Sequence, residues 1–221
     1  MRTAAILPVK RFSAAKRRLG AGVQETLRDA LVHAMLADVL EALEATPAIE
    51  LTIIVSGQPQ LPDWNGPGVT VVEDQGEDGQ SAAASRGIRH ALQEGFERVL
   101  CVPGDCPALS PAELQMLLAV PASAGSEVVI VPDRHGSGTN GLLLAPPDAI
   151  APSFGPGSFE RHRELVLVAG ATLRVERPPT LLLDIDTDAD LEALRGRLAV
   201  SAGGAPRTRA LLAEPAPTGR A

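Results

Sequence analysis

The chain has no tyrosine, one tryptophan and four phenylalanines, so aromatics make up 2% of its 221 residues. Stacking platforms of the kind that hold single-stranded nucleic acid are therefore nearly absent. Positive charge is also short: 20 Lys and Arg stand against 27 Asp and Glu, a net charge of -7. That balance argues against a nucleic-acid or anionic-membrane surface. No apolar run reaches the length of a membrane span, and Met1-Arg2 leads straight into a strand pattern rather than a signal peptide. The two cysteines, Cys101 and Cys106, fit no zinc spacing. The expectation is a cytoplasmic protein with reduced, inert thiols. With 45% hydrophobic residues, the length suits one large α/β domain better than two separate cores.

What is present is organised around Arg98 to Pro111, R-V-L-C-V-P-G-D-C-P-A-L-S-P. Val99 to Val102 is a short uncharged run rich in β-branched residues, as expected of a strand buried on both faces in a parallel sheet. The chain leaves it through Pro103-Gly104-Asp105, with Asp105 at the tip of the turn. Ser110-Pro111 followed by Glu113 then opens a helix. An acid at the carboxyl end of a central strand stands where open α/β sheets bind ligands. An aspartate there also serves as a plain turn former.

Thr3 to Val9 reads as the first strand, and the loop behind it holds five cations between Lys10 and Arg18. Such a loop is a common phosphate holder, here through side chains, since the glycine spacing of a backbone cradle is missing. A solvated basic surface is the alternative. Gln24 to Ala45 shows helical periodicity, with His33 as a structural residue inside it. Leu51 to Val55 and Val69 to Val72 are strands, and Trp64 packs the loop between them. Glu73 to Gln80 is an acidic glycine loop, followed by an alanine-rich helix from Ser81 to Leu92. Gly79 and Ser81 place free backbone N–H groups at the helix start. The small residues after them suit either a ligand or close helix–sheet packing. Arg86, Arg89 and His90 are placed toward solvent or the phosphates.

Glu127 to Pro132 and Leu142 to Ala145 are strands around the polar loop Asp133 to Gly141. That loop holds more hydroxyl, amide and glycine groups than a hairpin needs, which suggests an oxyanion contact. Phe154-Gly155-Pro156-Gly157-Ser158-Phe159 is a second such loop, with Ser158 as cap of a helix running to Gly170. Leu181 to Asp190 reads L-L-L-D-I-D-T-D-A-D, a buried strand that turns Asp184 and Asp186 to one side. Thr187 or Asp188 caps the last helix. With Asp105, these two acids make an oxygen-rich site for a hard cation, Mg²⁺ shared with phosphates. From Ser201 onward the composition cannot bury a core, and a disordered tail is expected.

Five strings narrow the reading: L-P-V-K-x-x-x-x-A-K-x-R-L (Leu7 to Leu19), G-D-C-P-A-L (Gly104 to Leu109), G-T-N-G-L-L-L (Gly138 to Leu144), F-G-P-G-S-F (Phe154 to Phe159) and D-I-D-T (Asp184 to Thr187). In this order they resemble the guanylyltransferases that activate phosphoenolpyruvate or 2-phospho-L-lactate in biosynthesis of the deazaflavin coenzyme F-420. The resemblance implies a single Rossmann-like nucleotidyltransferase domain over residues 1–200, with a mostly parallel central sheet and helices on both faces, and a tail at 201–221. It assigns Asp105, Asp184 and Asp186 to metal, and Thr139, Gly155 and Ser158 to the acceptor's phosphate and carboxylate. Lys10, Lys16 and Arg18 fall to the GTP triphosphate, and Gly79 and Ser81 to the nucleotide. Asp105 and the three cations are the implied catalytic set.

One departure concerns the base: Gly79-Gln80-Ser81 stands where similar proteins carry G-L-N. The implied partners are GTP and a phosphorylated small acid, with no nucleic acid and no membrane; pairing with a second copy stays open. The rivals are a nucleotidyltransferase with another acceptor, such as 3-phosphoglycerate, a sugar phosphate or a pterin, and a nucleotide-binding module without chemistry. The presence of all three acids and the basic loop argues against the last.

Overall fold

A computed structural model describes residues 1–9, 25–57, 66–76, 78–119, 125–201 and 203–213. The basic loop with Lys10, Lys16 and Arg18, and Trp64, lie outside the described residues.

Uncharged β-branched runs form the middle of one seven-stranded sheet. In chain order the strands are β1 (Thr3–Val9), β2 (Leu51–Ser56), β3 (Val69–Glu73), β4 (Arg98–Cys101), β5 (Glu127–Pro132), β6 (Thr139–Ala145) and β7 (Thr172–Val175). Their spatial order is β3-β2-β1-β4-β6-β5-β7. β1 pairs parallel with both β2 and β4, and β5 pairs parallel with β7. β6 alone is reversed, antiparallel to β4 and β5. The chain winds outward from β1 to β3 and then returns to place β4 on β1's other side. The carboxyl ends of β1 and β4 therefore meet at a topological switch point, where such sheets bind ligands.

The helices are α1 (Glu25–Glu44), α2 (Gln80–Gln93), α3 (Pro111–Ala119), α4 (Ser158–Ala169), α5 (Asp188–Val200) and α6 (Pro206–Ala213). α1 and α3 cover one face of the sheet, burying Leu36, Leu43 and Leu114 against Leu7, Leu100 and Leu143. α2 and α4 cover the other, burying Ala84, Ile88 and Val166 against Ile6, Val55 and Leu144. Between the two uses offered for the small residues of α2, the packing is visible in the structure. A Cβ on Gly87 would lie 2.4 Å from Ile6 Cγ2, so the helix reaches the sheet only because that atom is missing.

Two local expectations are corrected, and one strand was not anticipated. Leu181 to Ile185 is not a strand: it alternates buried and half-buried residues, but its backbone joins no ladder. β7 has no counterpart in the sequence reading, because it is a short and mostly exposed edge whose T-L-R-V alternation runs over only four residues. The tail is folded further than its composition suggests. α6 packs on α1, and buried Asp38 accepts N–H bonds from Arg207 and Thr208, at 3.0 and 2.8 Å. That carboxylate caps α6 from across the fold, a contact no local pattern encodes. No described helix is long and apolar enough to cross a membrane.

Candidate active site

Asp105 stands just past β4, on the turn expected of it. Its carbonyl accepts the Ile185 N–H at 3.0 Å, which lays the 181–187 segment along the carboxyl edge of the sheet. Asp184 and Asp186 thereby come to the Gly104-Asp105 turn. Asn140 Nδ2 donates to Asp184 Oδ1 at 3.1 Å and to the Leu181 carbonyl at 3.0 Å. Burial lifts the Asp184 carboxyl above the usual carboxylate range, and the charges of Asp105 and Asp186 push the same way. Two hydrogen bonds, one from Asn140, partly oppose this. Three acids within electrostatic reach, Asp105 and Asp184 half-buried and Asp186 exposed, are a donor set that a cation would relieve. Among the described residues no three His, Cys, Asp or Glu side chains converge on a ready-made metal cage. Mg²⁺ asks for less, one or two carboxylates with phosphate and water oxygens.

α5 fixes the end of this segment. Thr187 caps it, and Asp190 completes a capping box. Asp190 also accepts the Asp186 N–H at 3.1 Å and pairs with Arg134 at 2.6 Å. Burial alone would raise the Asp190 carboxyl, but hydrogen bonds from Thr187 and Asp186, with Arg134 beside it, hold it lower. Arg134 so ties the β5–β6 loop to the acidic segment, a role the sequence did not reveal.

The reversed β6 brings its first residues, Thr139 and Asn140, to the same edge as the carboxyl end of β4. The β5–β6 register slips between Val131 and Pro132, and such an irregularity re-aims side chains. Asn140 meets the acidic segment, whereas Thr139 Oγ1 lies 3.0 Å from His162 Nδ1 on α4. Ser158 is the first residue of α4 and fully buried. The helix is capped instead by Gly157, whose left-handed φ of 72° suits glycine. The Ser158 hydroxyl is therefore free of the capping role expected for it. Gly155, at φ 108°, lies in the loop before it. Arg161 stitches this loop together, donating to the carbonyls of Ser153, Phe154 and Pro156.

On the nucleotide side, Gly79 caps α2 without a side-chain bond. The Ser81 hydroxyl accepts the Phe154 N–H at 2.8 Å, so it joins α2 to the 154–158 loop. Arg86 does not face solvent or phosphate alone; it holds the acidic glycine loop, paired with Asp74 and, at 3.0 Å, with Asp78. The structure thus brings Asp105, Asp184 and Asp186 together, and Thr139 together with α4. His162, Asn140, Arg134 and Arg161 were missed as functional neighbours. The Cys101 thiol is pushed up to about 12 by burial and Cys106 is also buried, in keeping with inert thiols.

A sheet of this winding, with acids at its switch point, defines an α/β nucleotidyltransferase-like domain. Solved structures share the fold. A candidate nucleotide-diphospho-sugar transferase from Desulfovibrio desulfuricans superposes with a TM-score of 0.75 at 21% identity, covering 96% of this chain and 94% of the other. A 4-diphosphocytidyl-2C-methyl-D-erythritol synthase superposes at 0.58 with 18% identity, covering 89% and 99%. Sequence takes the assignment further. The model of the family described as "Guanylyl transferase CofC like" matches residues 3–196. A phosphoenolpyruvate guanylyltransferase of Conexibacter woesei is 46% identical over 213 residues, 96% of each chain. A 2-phospho-L-lactate guanylyltransferase of Methanothermobacter thermautotrophicus is 33% identical, over 86% of this chain and 83% of that one. The chain belongs to the CofC-like guanylyltransferase family and is an enzyme of nucleotidyl transfer.

Proposed function

We propose that this enzyme transfers GMP from GTP to the phosphate of phosphoenolpyruvate, in the cytoplasm, as a step toward coenzyme F-420. The observation that carries the reading is the Asp105–Ile185 backbone bond, which joins the Gly-Asp turn to the Asp184/Asp186 segment. That bond sets two acid-bearing stretches, far apart in sequence, side by side at the switch point, which supports reading them as one site. Asp105, Asp184 and Asp186 would hold Mg²⁺ together with phosphate oxygens; when bound, it neutralises charge on the triphosphate. Lys10, Lys16 and Arg18 are proposed to hold that triphosphate, and Gly79 and Ser81 to border the nucleotide. Thr139, Gly155 and Ser158 are proposed to hold the acceptor.

An acceptor phosphate oxygen attacks the α-phosphorus in line. The bond from the α-phosphorus to the bridging oxygen breaks, and pyrophosphate leaves with the electron pair. A phosphate is already ionised near neutral pH, so the protein need supply no general base. Catalysis consists of positioning and charge neutralisation.

The test is pyrophosphate release from GTP and Mg²⁺ with phosphoenolpyruvate, 2-phospho-L-lactate and 3-phosphoglycerate in parallel, ATP and CTP serving as nucleotide controls. Release with GTP and phosphoenolpyruvate is expected. Preference for phospholactate would replace the acceptor, and preference for another nucleotide would overturn the guanine assignment. Asp105→Asn should cut kcat by ~100-fold or more while the melting temperature holds. Retained turnover would remove Asp105 from the metal site.

A further inference from the structure

α4 presents its buried residues at four-residue spacing: Ser158, His162 and Val166. His162 is fully buried, and both ring nitrogens are engaged. Nε2 accepts the Ser153 backbone N–H at 2.8 Å, and Nδ1 lies 3.0 Å from Thr139 Oγ1. A backbone N–H can only donate, so Nε2 carries no proton. The proton of the neutral ring then sits on Nδ1 and is donated to Thr139. That leaves the Thr139 hydroxyl with its own hydrogen to direct elsewhere.

We propose that His162 is a positioning residue: by donating from Nδ1 it commits Thr139 to act as a hydrogen-bond donor toward the anionic acceptor. This rests on the acceptor reading of Thr139 given above. A threonine hydroxyl left to itself both donates and accepts, and its lone pairs repel a phosphate or carboxylate oxygen. With one lone pair occupied by His162, its donor end is set before the acceptor arrives, and such pre-organisation favours binding. The ring is held to this task on its other sides. The Phe154 ring meets it edge-on, with centroids 5.3 Å apart, and Phe154 N–H is itself bound by Ser81. Arg161 beside it and burial push the imidazole down to about 4, burial contributing most. The neutral form therefore persists throughout the neutral range. One turn before His162 on the same face, Ser158 Oγ is buried with no hydrogen-bond partner among the described residues. Its hydroxyl is a second uncommitted donor on the helix face that carries His162.

The two bonds of His162 are separable by substitution. In His162→Asn the amide nitrogen reaches the place of Nδ1 and keeps the donor to Thr139, losing the Ser153 contact. In His162→Gln the longer amide reaches the place of Nε2, keeping the Ser153 contact and losing the donor. Kinetics of the full chain with GTP, Mg²⁺ and phosphoenolpyruvate should show KM for the acceptor raised roughly five- to tenfold in His162→Gln, the loss of about one hydrogen bond. KM for GTP should stay near that of the parent. His162→Asn should recover most of the acceptor affinity. The opposite order, with Gln close to the parent and Asn impaired, would show that His162 serves only to anchor the loop and would overturn the proposal.

Thr139→Val separates the two levels of inference. If it leaves KM for the acceptor unchanged, the acceptor reading itself is wrong. If it raises KM while His162→Gln does not, only the positioning role fails. A measurement on the unaltered protein stands apart from any folding defect. Long-range ¹H–¹⁵N correlation of its four histidines should show one ring protonated at Nδ1 and bare at Nε2. Assignment of an Nε2-protonated ring to His162 would overturn the proposal.

Discussion

At the scale of the residue, His162 makes stability depend on pH. Its folded-state value, about 4, lies below the value of about 6.5 for a free imidazole. Between those two the unfolded chain binds more protons, so stability rises with pH across the window. The contribution is complete above about pH 6.5 and is lost as pH falls toward 4. Protonation would place a hydrogen on Nε2, facing the Ser153 N–H, donor against donor. Urea unfolding at pH 7 and pH 4.5 should show a larger drop for the parent than for His162→Asn, which has no imidazole to titrate. An equal drop in both would assign the acid sensitivity to other groups.

Asp184 was legible in the sequence because acids after a run of leucines are costly unless used. Its partner Asn140 was hidden, since an amide in a glycine-rich loop carries no local sign of its target. The two are 44 residues apart.

At the scale of the element, the contact of α2 with β1 is set by one missing methyl. Gly87→Ala would place its Cβ 2.4 Å from Ile6 Cγ2, and that atom belongs to a β-branched side chain locked in β1, an interior strand of the sheet. Helix propensity gains about 1 kcal/mol from the change, yet overpacking of this kind costs about 1–3 kcal/mol. A net loss in denaturant midpoint is expected, and a rise would mean that α2 shifts freely on the sheet. The helices were readable from apolar periodicity: Gln24 to Ala45 anticipated α1 within a residue at each end, and Ser81 to Leu92 anticipated α2 equally well. Ser110 does accept the Glu113 N–H, at 3.4 Å. β6 and β7 were less readable. The start of β6 looks like loop because Thr139-Asn140-Gly141 is polar and small, and β7 is an exposed edge of only four residues.

At the scale of the molecule, α6 closes the fold far from the sheet. Leu211 and Leu212 pack toward a cluster that includes Leu31, Met35 and Leu194, and Asp38 receives the N–H groups of the α6 first turn. Asp38→Ala should lower unfolding free energy by about 1–2 kcal/mol, the usual range for a lost helix cap. Deleting residues 202–221 should cost at least as much, since it strips the same bonds and uncovers apolar surface as well. A truncated chain with the parent's melting temperature would show that α6 docks without stabilising the domain.

The sequence by itself determined the α/β class, most strand and helix positions, the Gly-Asp turn and the late acidic pair. These follow from periodicity, turn chemistry and the cost of burying charge, all of which act over a few neighbouring residues. Only the tertiary structure decided the reversal of β6, the tautomer of His162 and the capping of α6 by Asp38. Each depends on groups brought together by chain closure, from 9 residues for Ser153 and His162 to 170 for Asp38 and Thr208. A donor and an acceptor that meet only after folding leave no pattern in the order of residues between them.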